Sequence, residues 1–382
     1  MKVLFIAKNI PRPTTNTNKI ILTLADKLSE FCNVSFLRPR EKVPFWLKNS
    51  KKFGDLYGLK GWKYKSFNII TYPYIHLPIK KGNYWLLNRL SKVGKAFIEK
   101  HSSFDIIHAH YLFPDGYIAY QIYKKYNIPY VVTFRNQDKQ YLELISHKNI
   151  DYIKAVKILI NASKVITTNG AYKEFVDRCF QIDAQIVPHG INSIVFKLKP
   201  QKKKNDCVII ATVAEAISRK NIDWIIKAVQ QCDGINKIEL HIIGEGKELN
   251  ALRKLAAGNK NITFHGHLPH NQVLRIMRDS DIFALPSYNE TFGMVYLEAA
   301  ATKNAIIGYR KEGVWGIFEE NIDMLFCNNF NQFQAQLHQL ISNKDMREQL
   351  AQNAFNKAKA LSWVNIIREY KEIYVKAFKF EI

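Results

Sequence analysis

In the segment PSYNETFGMVYLEA, two glutamates, Glu290 and Glu298, stand on either side of Thr291-Phe292-Gly293. A carboxylate is a good bidentate acceptor for neighbouring hydroxyls, so each could grip a sugar ring. The run DIFALPS before them is short, apolar and β-rich, and the residues after Gly293 read as a helix, so the pair brackets a strand, loop, helix unit. A helix starting there offers unpaired backbone N–H groups and about half a positive charge, which suits a diphosphate, and Gly293 lets a ligand approach closely. Such a set could hold a nucleotide sugar, with the sugar on one carboxylate, the ribose on the other and the phosphates at the helix start.

Other candidates also follow apolar runs. Lys220, in ATVAEAISRKNIDW, comes after CVIIATV. Without a divalent ion a cation must neutralise a departing diphosphate, and a flexible ammonium there would do so, with Arg219 beside it. A surface lysine at a helix start is the bland alternative. HIIGEGKELNALRKL carries Gly244 and Gly246 in a turn. In FHGHLPH, His265, His267 and His270 are close in sequence, but only the first two leave a strand on one face and no acidic partner lies alongside, so no metal is expected. Upstream, HAHYLFPDGY holds His110, Asp115 and Gly116, TFRNQD holds Arg135 and Asp138, and VPHG holds His189. Arg135 could donate to a sugar hydroxyl or phosphate oxygen, or be a structural ion-pair partner. The first turn, PRPTTNTNK with Asn16, contains no glycine, although Asn and Thr can support a tight turn or cap a helix.

The elements that must position these residues alternate along the chain. KVLFIA, NVSFL, FDIIHAH, PYVVTF, KVITT and AQIVPH read as strands, with helices such as 18–31 and 117–126 between them. The pattern then repeats: CVIIATV, IELHIIG, NITFHG, DIFALPS and NAIIGY as strands, with helices near 222–232, 247–257 and 271–280. The fold class is α/β, two Rossmann-like doubly wound domains facing across a cleft, with ligands beyond the carboxyl ends of the strands. Expected boundaries are 1–190 for an acceptor-binding domain, 191–206 for a linker, and 207–362 for a nucleotide-sugar-binding domain. A helix over 363–382 is expected to pack back on the first domain.

The chain has 382 residues, 47% of them hydrophobic, enough for two cores. No apolar run reaches the roughly 18 residues of a membrane span, and the start is too short in apolar residues for a signal-peptide core, so a cytoplasmic protein is expected. Five scattered cysteines without a CxxC pair suggest neither a disulfide framework nor a zinc cluster. Of the net charge of +23, residues 1–100 contribute +15, with 20 Lys/Arg against 5 Asp/Glu. Over 38–100 the cations interleave with Phe45, Trp46, Phe53, Tyr57, Trp62, Tyr64, Tyr84 and Trp85, a mixture suited to an anionic lipid surface at the inner face of the cytoplasmic membrane. Single-stranded nucleic acid would suit the same mixture, but no RNP, KH or zinc-finger signature accompanies it. A solvated basic face is the bland reading.

PSYNETFGMVYLEAAA resembles the donor-site motif of the large retaining family of bacterial group 1 glycosyltransferases (family 4-like), which have the two-Rossmann GT-B architecture, and supporting blocks follow in family order over nearly the whole chain. The resemblance implies that Glu290 contacts the transferred sugar, Glu298 the ribose, and Lys220 the donor phosphates. Thr291, Phe292, Gly293, Met294 and Val295 would line the donor, with Gly244, and His267 and Leu268 would meet the base. Three positions depart from the family. Glu215 stands where relatives place an arginine, with Arg219 nearby. Arg135 and Asn136 replace a histidine and glycine near the reacting sugar. His110, Asp138, His189 and Asn16 would lie toward the acceptor. The implied reaction is retaining transfer of a hexose-type sugar from a UDP-sugar, or next GDP-mannose, to a glycan or lipid-linked acceptor in cell-surface polysaccharide synthesis, without metal or cofactor. A sugar-nucleotide epimerase of the same architecture and an inactive glycan-binding subunit are the rival readings.

Overall fold

The computed structural model describes residues 1–11, 19–50, 57–74, 87–101, 103–197, 207–232 and 237–379. The chain divides into two units, Met1–Thr168 with Tyr172–Val187 and Ile367–Ile382, and Asn169–Ala171 with Pro188–Ile366. Asn16 lies outside the described residues.

The first unit's strands are β1 (Lys2–Ile6), β2 (Asn33–Glu41), β3 (Gly61–Tyr64), β4 (Phe67–Tyr74), β5 (Ile106–Ala109), β6 (Tyr130–Phe134), β7 (Lys164–Thr167) and β8 (Gln185–Ile186), in the order β3-β4-β2-β1-β5-β6-β7-β8. All pair in parallel except β3, which is antiparallel to β4. β1 reads as an apolar run because helices cover both faces of a parallel sheet, and Val3 through Ala7 are fully buried. It pairs with β2 on one side (Val3↔Val34) and β5 on the other (Val3↔Ile106), so the winding reverses between β1 and β5. Such a reversal is where open α/β sheets bind ligands, beyond the carboxyl ends of the strands.

Helices α1 (Ile20–Leu28), α2 (Leu87–His101), α3 (Tyr117–Tyr126), α4 (Asn136–Glu143), α5 (Ile150–Ile160) and α6 (Gly170–Phe180) fall between these strands. The basic, aromatic stretch contains the β3–β4 hairpin, which the sequence reading did not include. Its turn, Tyr64-Lys65-Ser66-Phe67, lacks the Asn-Gly or Asp-Gly signal of a tight hairpin, and Lys65 takes up φ 47° instead. Of the aromatics named there, Phe45, Trp46 and Tyr57 are exposed, Trp62 and Tyr64 half-buried, and Phe53, Tyr84 and Trp85 lie outside the described residues.

The second unit has β9 (Cys207–Val213), β10 (Lys237–Ile243), β11 (Ile262–Gly266), β12 (Ile282–Leu285), β13 (Ala305–Tyr309) and β14 (Leu325–Cys327), all parallel, in the order β11-β10-β9-β12-β13-β14. This is the dinucleotide-fold order, with its reversal between β9 and β12. β14, three residues long, was not read from the sequence. Its helices are α7 (Ile222–Gln230), α8 (Leu249–Leu255), α9 (His270–Asp279), α10 (Met294–Ala301), α11 (Phe330–Ser342) and α12 (Lys344–Ala360). Of the expected linker, 191–197 pack in this unit: Ile191 and Val195 are buried, and the Ile191 N–H donates to the Leu361 carbonyl at 2.9 Å. The last helix, α13 (Trp363–Lys379), buries Tyr370 and Tyr374 in the first unit, where the Tyr374 hydroxyl lies 2.7 Å from His108 Nδ1 on β5.

Candidate active site

The second unit places Lys220 and Glu290 at the reversal between β9 and β12, each in the segment that follows its strand. Ser218, Arg219 and Lys220 form one 3-10 turn, after which Asn221 adopts a left-handed φ of 48° and donates its side-chain amide to the Pro286 carbonyl at 2.8 Å. That bond ties the β9 loop to the β12 loop. The Lys220 ammonium ion-pairs with Glu290 Oε2, and Ser287 Oγ donates to the same oxygen at 3.2 Å. Both side chains are mostly buried, at 10% and 13% exposed, so the attraction is little screened. Glu312, after β13, accepts the Glu290 backbone N–H at 2.8 Å. Asn169 donates its amide to the carbonyls of Gly313 (2.8 Å) and Thr291 (3.2 Å). Ser287, Glu312 and Asn169 were not singled out in the sequence; Glu312 could have been, as an acid just beyond a strand.

Arg219 braces the same loop, donating to the Asn289 carbonyl at 3.3 Å while its own carbonyl accepts from Tyr288 N–H at 3.0 Å. Glu215 is exposed. Beside the turn, a cavity of about 410 Å³ is lined by residues including Ile217, Trp224, Glu248 and Tyr288; neither Lys220 nor Glu290 lines it.

Gly293 precedes α10 at φ 72°, and a Cβ there would lie 2.5 Å from the Tyr296 ring, so only glycine opens this helix start without displacing the ring. Tyr296 is fixed in turn, its hydroxyl donating to the Leu285 carbonyl at 2.6 Å. Thr291 is exposed, Phe292 is buried with its ring 4.5 Å from that of His189, and Met294 and Val295 are half-buried at the first turn of α10. Glu298, one turn on, meets His270 of α9, with Nε2 2.8 Å from Oε1, and this contact raises the His270 pKa. His270 was considered only as a metal ligand, and the contact between two helices could not be read from either. Gly244, at φ 130°, is required because a Cβ would fall 1.9 Å from the Ala214 carbonyl oxygen, closing the β9 and β10 exits together. His267 is exposed and its N–H donates to Glu245 at 3.4 Å, while Leu268 is half-buried. His265 instead contacts His241, at 2.9 Å. Among the described residues, no three His, Cys, Asp or Glu side chains gather as metal ligands.

In the first unit, His110, Asp115, Arg135 and Asp138 form a buried cluster past the ends of β5 and β6. Asp138 accepts the backbone N–H groups of Arg135 and Leu112, both at 3.0 Å, which joins the two loops, and burial still pushes its carboxyl up to about 7. Asp115 Oδ1 accepts from the Lys8 N–H at 3.0 Å, just past β1, and burial holds this carboxyl well above the usual carboxylate range. Arg135 Nε donates to the His110 carbonyl at 3.0 Å, with the guanidinium 5.5 Å from the Tyr111 ring centre. Beneath them His108 is clamped between Tyr374 and Thr133 Oγ1 (2.8 Å), and burial lowers its pKa to about 3, so the ring stays neutral.

The family model for glycosyl transferases group 1 matches residues 194–357, and that for glycosyltransferase family 4 matches 21–193. An uncharacterized glycosyltransferase of Methanocaldococcus jannaschii is 26% identical over 311 residues, covering 80% of this chain and 85% of its own. The alpha-monoglucosyldiacylglycerol synthase of Streptococcus pneumoniae is 22% identical over 75% of this chain and 70% of its own. Among solved structures, sucrose-phosphate synthase from Thermosynechococcus elongatus superposes with a TM-score of 0.71 at 18% identity over 99% of both chains. Anabaena HepE in complex with UDP gives 0.67 at 14% identity, over 97% of this chain and 99% of its own.

Proposed function

The chain belongs to the group 1 glycosyltransferases, family 4 type, with the GT-B architecture, and from that premise we propose that it moves a hexose-type sugar from a UDP-sugar to a glycan or lipid-linked acceptor, with retention at the anomeric carbon. GDP-mannose is the next donor. The observation that carries this is the buried Lys220–Glu290 pair beside the helix start at Gly293. On donor binding, the ammonium turns to the diphosphate and the carboxylate to the sugar, while Glu298 leaves His270 for the ribose. Charge building on the departing diphosphate is then met by Lys220 and the N–H groups of α10 without a metal ion. The UDP in HepE supports a uridine donor.

A thermal-shift panel of sugar nucleotides, followed by transfer assays with the stabilising donor, tests the reading. One nucleotide class should add about 2.7 kcal/mol of stability at a hundredfold excess over its Kd, and Glu298→Ala should abolish that gain. If no sugar nucleotide stabilises the wild type, the proposal fails.

The acceptor end works at an anionic membrane surface. Trp46 is 80% exposed and Phe45 63%, with Lys48 4.3 Å from the Phe45 ring centre and Lys42, Lys60 and Lys63 exposed nearby in sequence. The diacylglycerol in the name of the pneumococcal relative supports a lipid-borne acceptor. No helix among the described residues is long and apolar enough to cross a membrane. In flotation, vesicles with anionic lipid should retain the protein and neutral ones should not, and Phe45→Ala/Trp46→Ala should lose most of the binding. Equal binding to both vesicles counts against it.

A further inference from the structure

Arg135 is 4% exposed, and only one of its three guanidinium nitrogens, Nε, has a hydrogen-bond partner among the described residues. A guanidinium is always charged, and a buried charge without a counter-ion costs several kcal/mol. Neither neighbouring carboxylate supplies a full one. Asp115 is fully buried, which pushes its carboxyl well above the usual carboxylate range, and Asp138, pushed up to about 7 by burial, has its oxygens committed to two backbone N–H groups. The nearest lysine on the adjoining strand end, Lys8, is spent on Glu41 at 3.0 Å, and His108 is neutral. The cluster therefore holds a buried guanidinium with an open two-nitrogen fork among the described residues. A second group is equally unfinished: Asp115 is fully buried, and its Oδ2 has no hydrogen-bond partner among the described residues. A carboxyl whose acid form is favoured by burial can donate one hydrogen bond, as the fork can donate two.

We propose that Arg135, with Asp115 beside it, is a specificity-determining anion subsite: one of the sugar substrates carries a carboxylate or a phosphate that the Arg135 fork receives. A sugar hydroxyl would leave the buried charge unbalanced, whereas a planar carboxylate or a phosphate pairs bidentately with the two terminal nitrogens. The proposal rests on the sugar-transfer reading, since it assigns the substrate class of that reaction.

The test is calorimetric titration of the full chain with D-glucose, D-glucuronate and D-glucose 6-phosphate, and separately with UDP-glucose and UDP-glucuronate. Wild type should prefer an anionic probe over its neutral counterpart by about tenfold or more, the scale of one charge-assisted hydrogen bond. A preference among free sugars puts the anion on the acceptor, and one confined to the UDP-sugars puts it on the donor; either supports the subsite. Arg135→Gln should erase the preference while UDP itself binds as before. Should that variant not fold, Arg135→Lys, which keeps the charge without the fork, should lose most of it. Equal binding of neutral and anionic probes to wild type, or an unaltered preference in a folded Arg135 variant, overturns the proposal. Failure of UDP to bind wild type would count against the donor assignment instead, leaving the free-sugar arm readable.

Discussion

Glu290→Ala should lower transfer by about 10³-fold or more, the scale of losing a group that both orients the sugar and faces the reacting centre, while UDP affinity holds or rises. The second half of that expectation comes from the ion pair. The Lys220 ammonium is already committed to Glu290 Oε2, so a diphosphate must displace a carboxylate to reach it. Removing the carboxylate frees the ammonium and removes a negative charge from the phosphate site. A residue that merely shaped the fold would weaken nucleotide binding and turnover together. Steady-state transfer rates and UDP titration on the purified variant separate the cases, and wild-type turnover in Glu290→Ala would sink the donor-site assignment. Glu290→Gln refines it: the amide keeps a hydrogen-bonding oxygen but not the charge, so it should share the affinity gain while retaining more of the rate.

What could be read from the sequence divides along the range of the interactions involved. Parallel strands such as β1 and β12 are buried on both faces and appear as short apolar runs, so both doubly wound sheets were legible. β4 alternates buried with more exposed positions, Phe67, Ile69 and Thr71 being buried, but its polar positions and the unmarked turn at Lys65 hid it inside a stretch that looked like charge alone. Glu290, Glu298 and Lys220 could be named because each follows a strand at a helix start. Their partners could not. Ser287 lies three residues from Glu290 and is an ordinary serine until its hydroxyl meets Oε2, while His270 reaches Glu298 only because α9 and α10 are neighbours. Arg135 had two readings from sequence, a substrate donor or a structural ion-pair partner. Among the described residues no carboxylate pairs with its guanidinium; a carbonyl takes one nitrogen and leaves two.

Lys220→Ala should cost transfer about 3 kcal/mol of transition-state stabilisation, roughly two orders of magnitude in kcat, comparable to removing one oxyanion-hole donor. The loss should fall mainly on kcat, because negative charge on the diphosphate grows as the glycosidic bond breaks and an ammonium fixed beside it gains most at that moment. The structure adds a complication that the sequence did not contain. Without Lys220 the mostly buried Glu290 carboxylate keeps the Ser287 hydroxyl but loses its cation, an arrangement that destabilises by about 3–5 kcal/mol when a buried pair is broken from one side. Lys220→Ala should therefore also melt lower than wild type, and Lys220→Ala/Glu290→Gln should recover much of that stability without recovering the rate. Denaturant midpoints and kcat on the wild type and the two variants settle it: a double variant that regains turnover along with stability would reduce Lys220 to a structural partner of Glu290, and a single variant with wild-type kcat would remove it from the reaction.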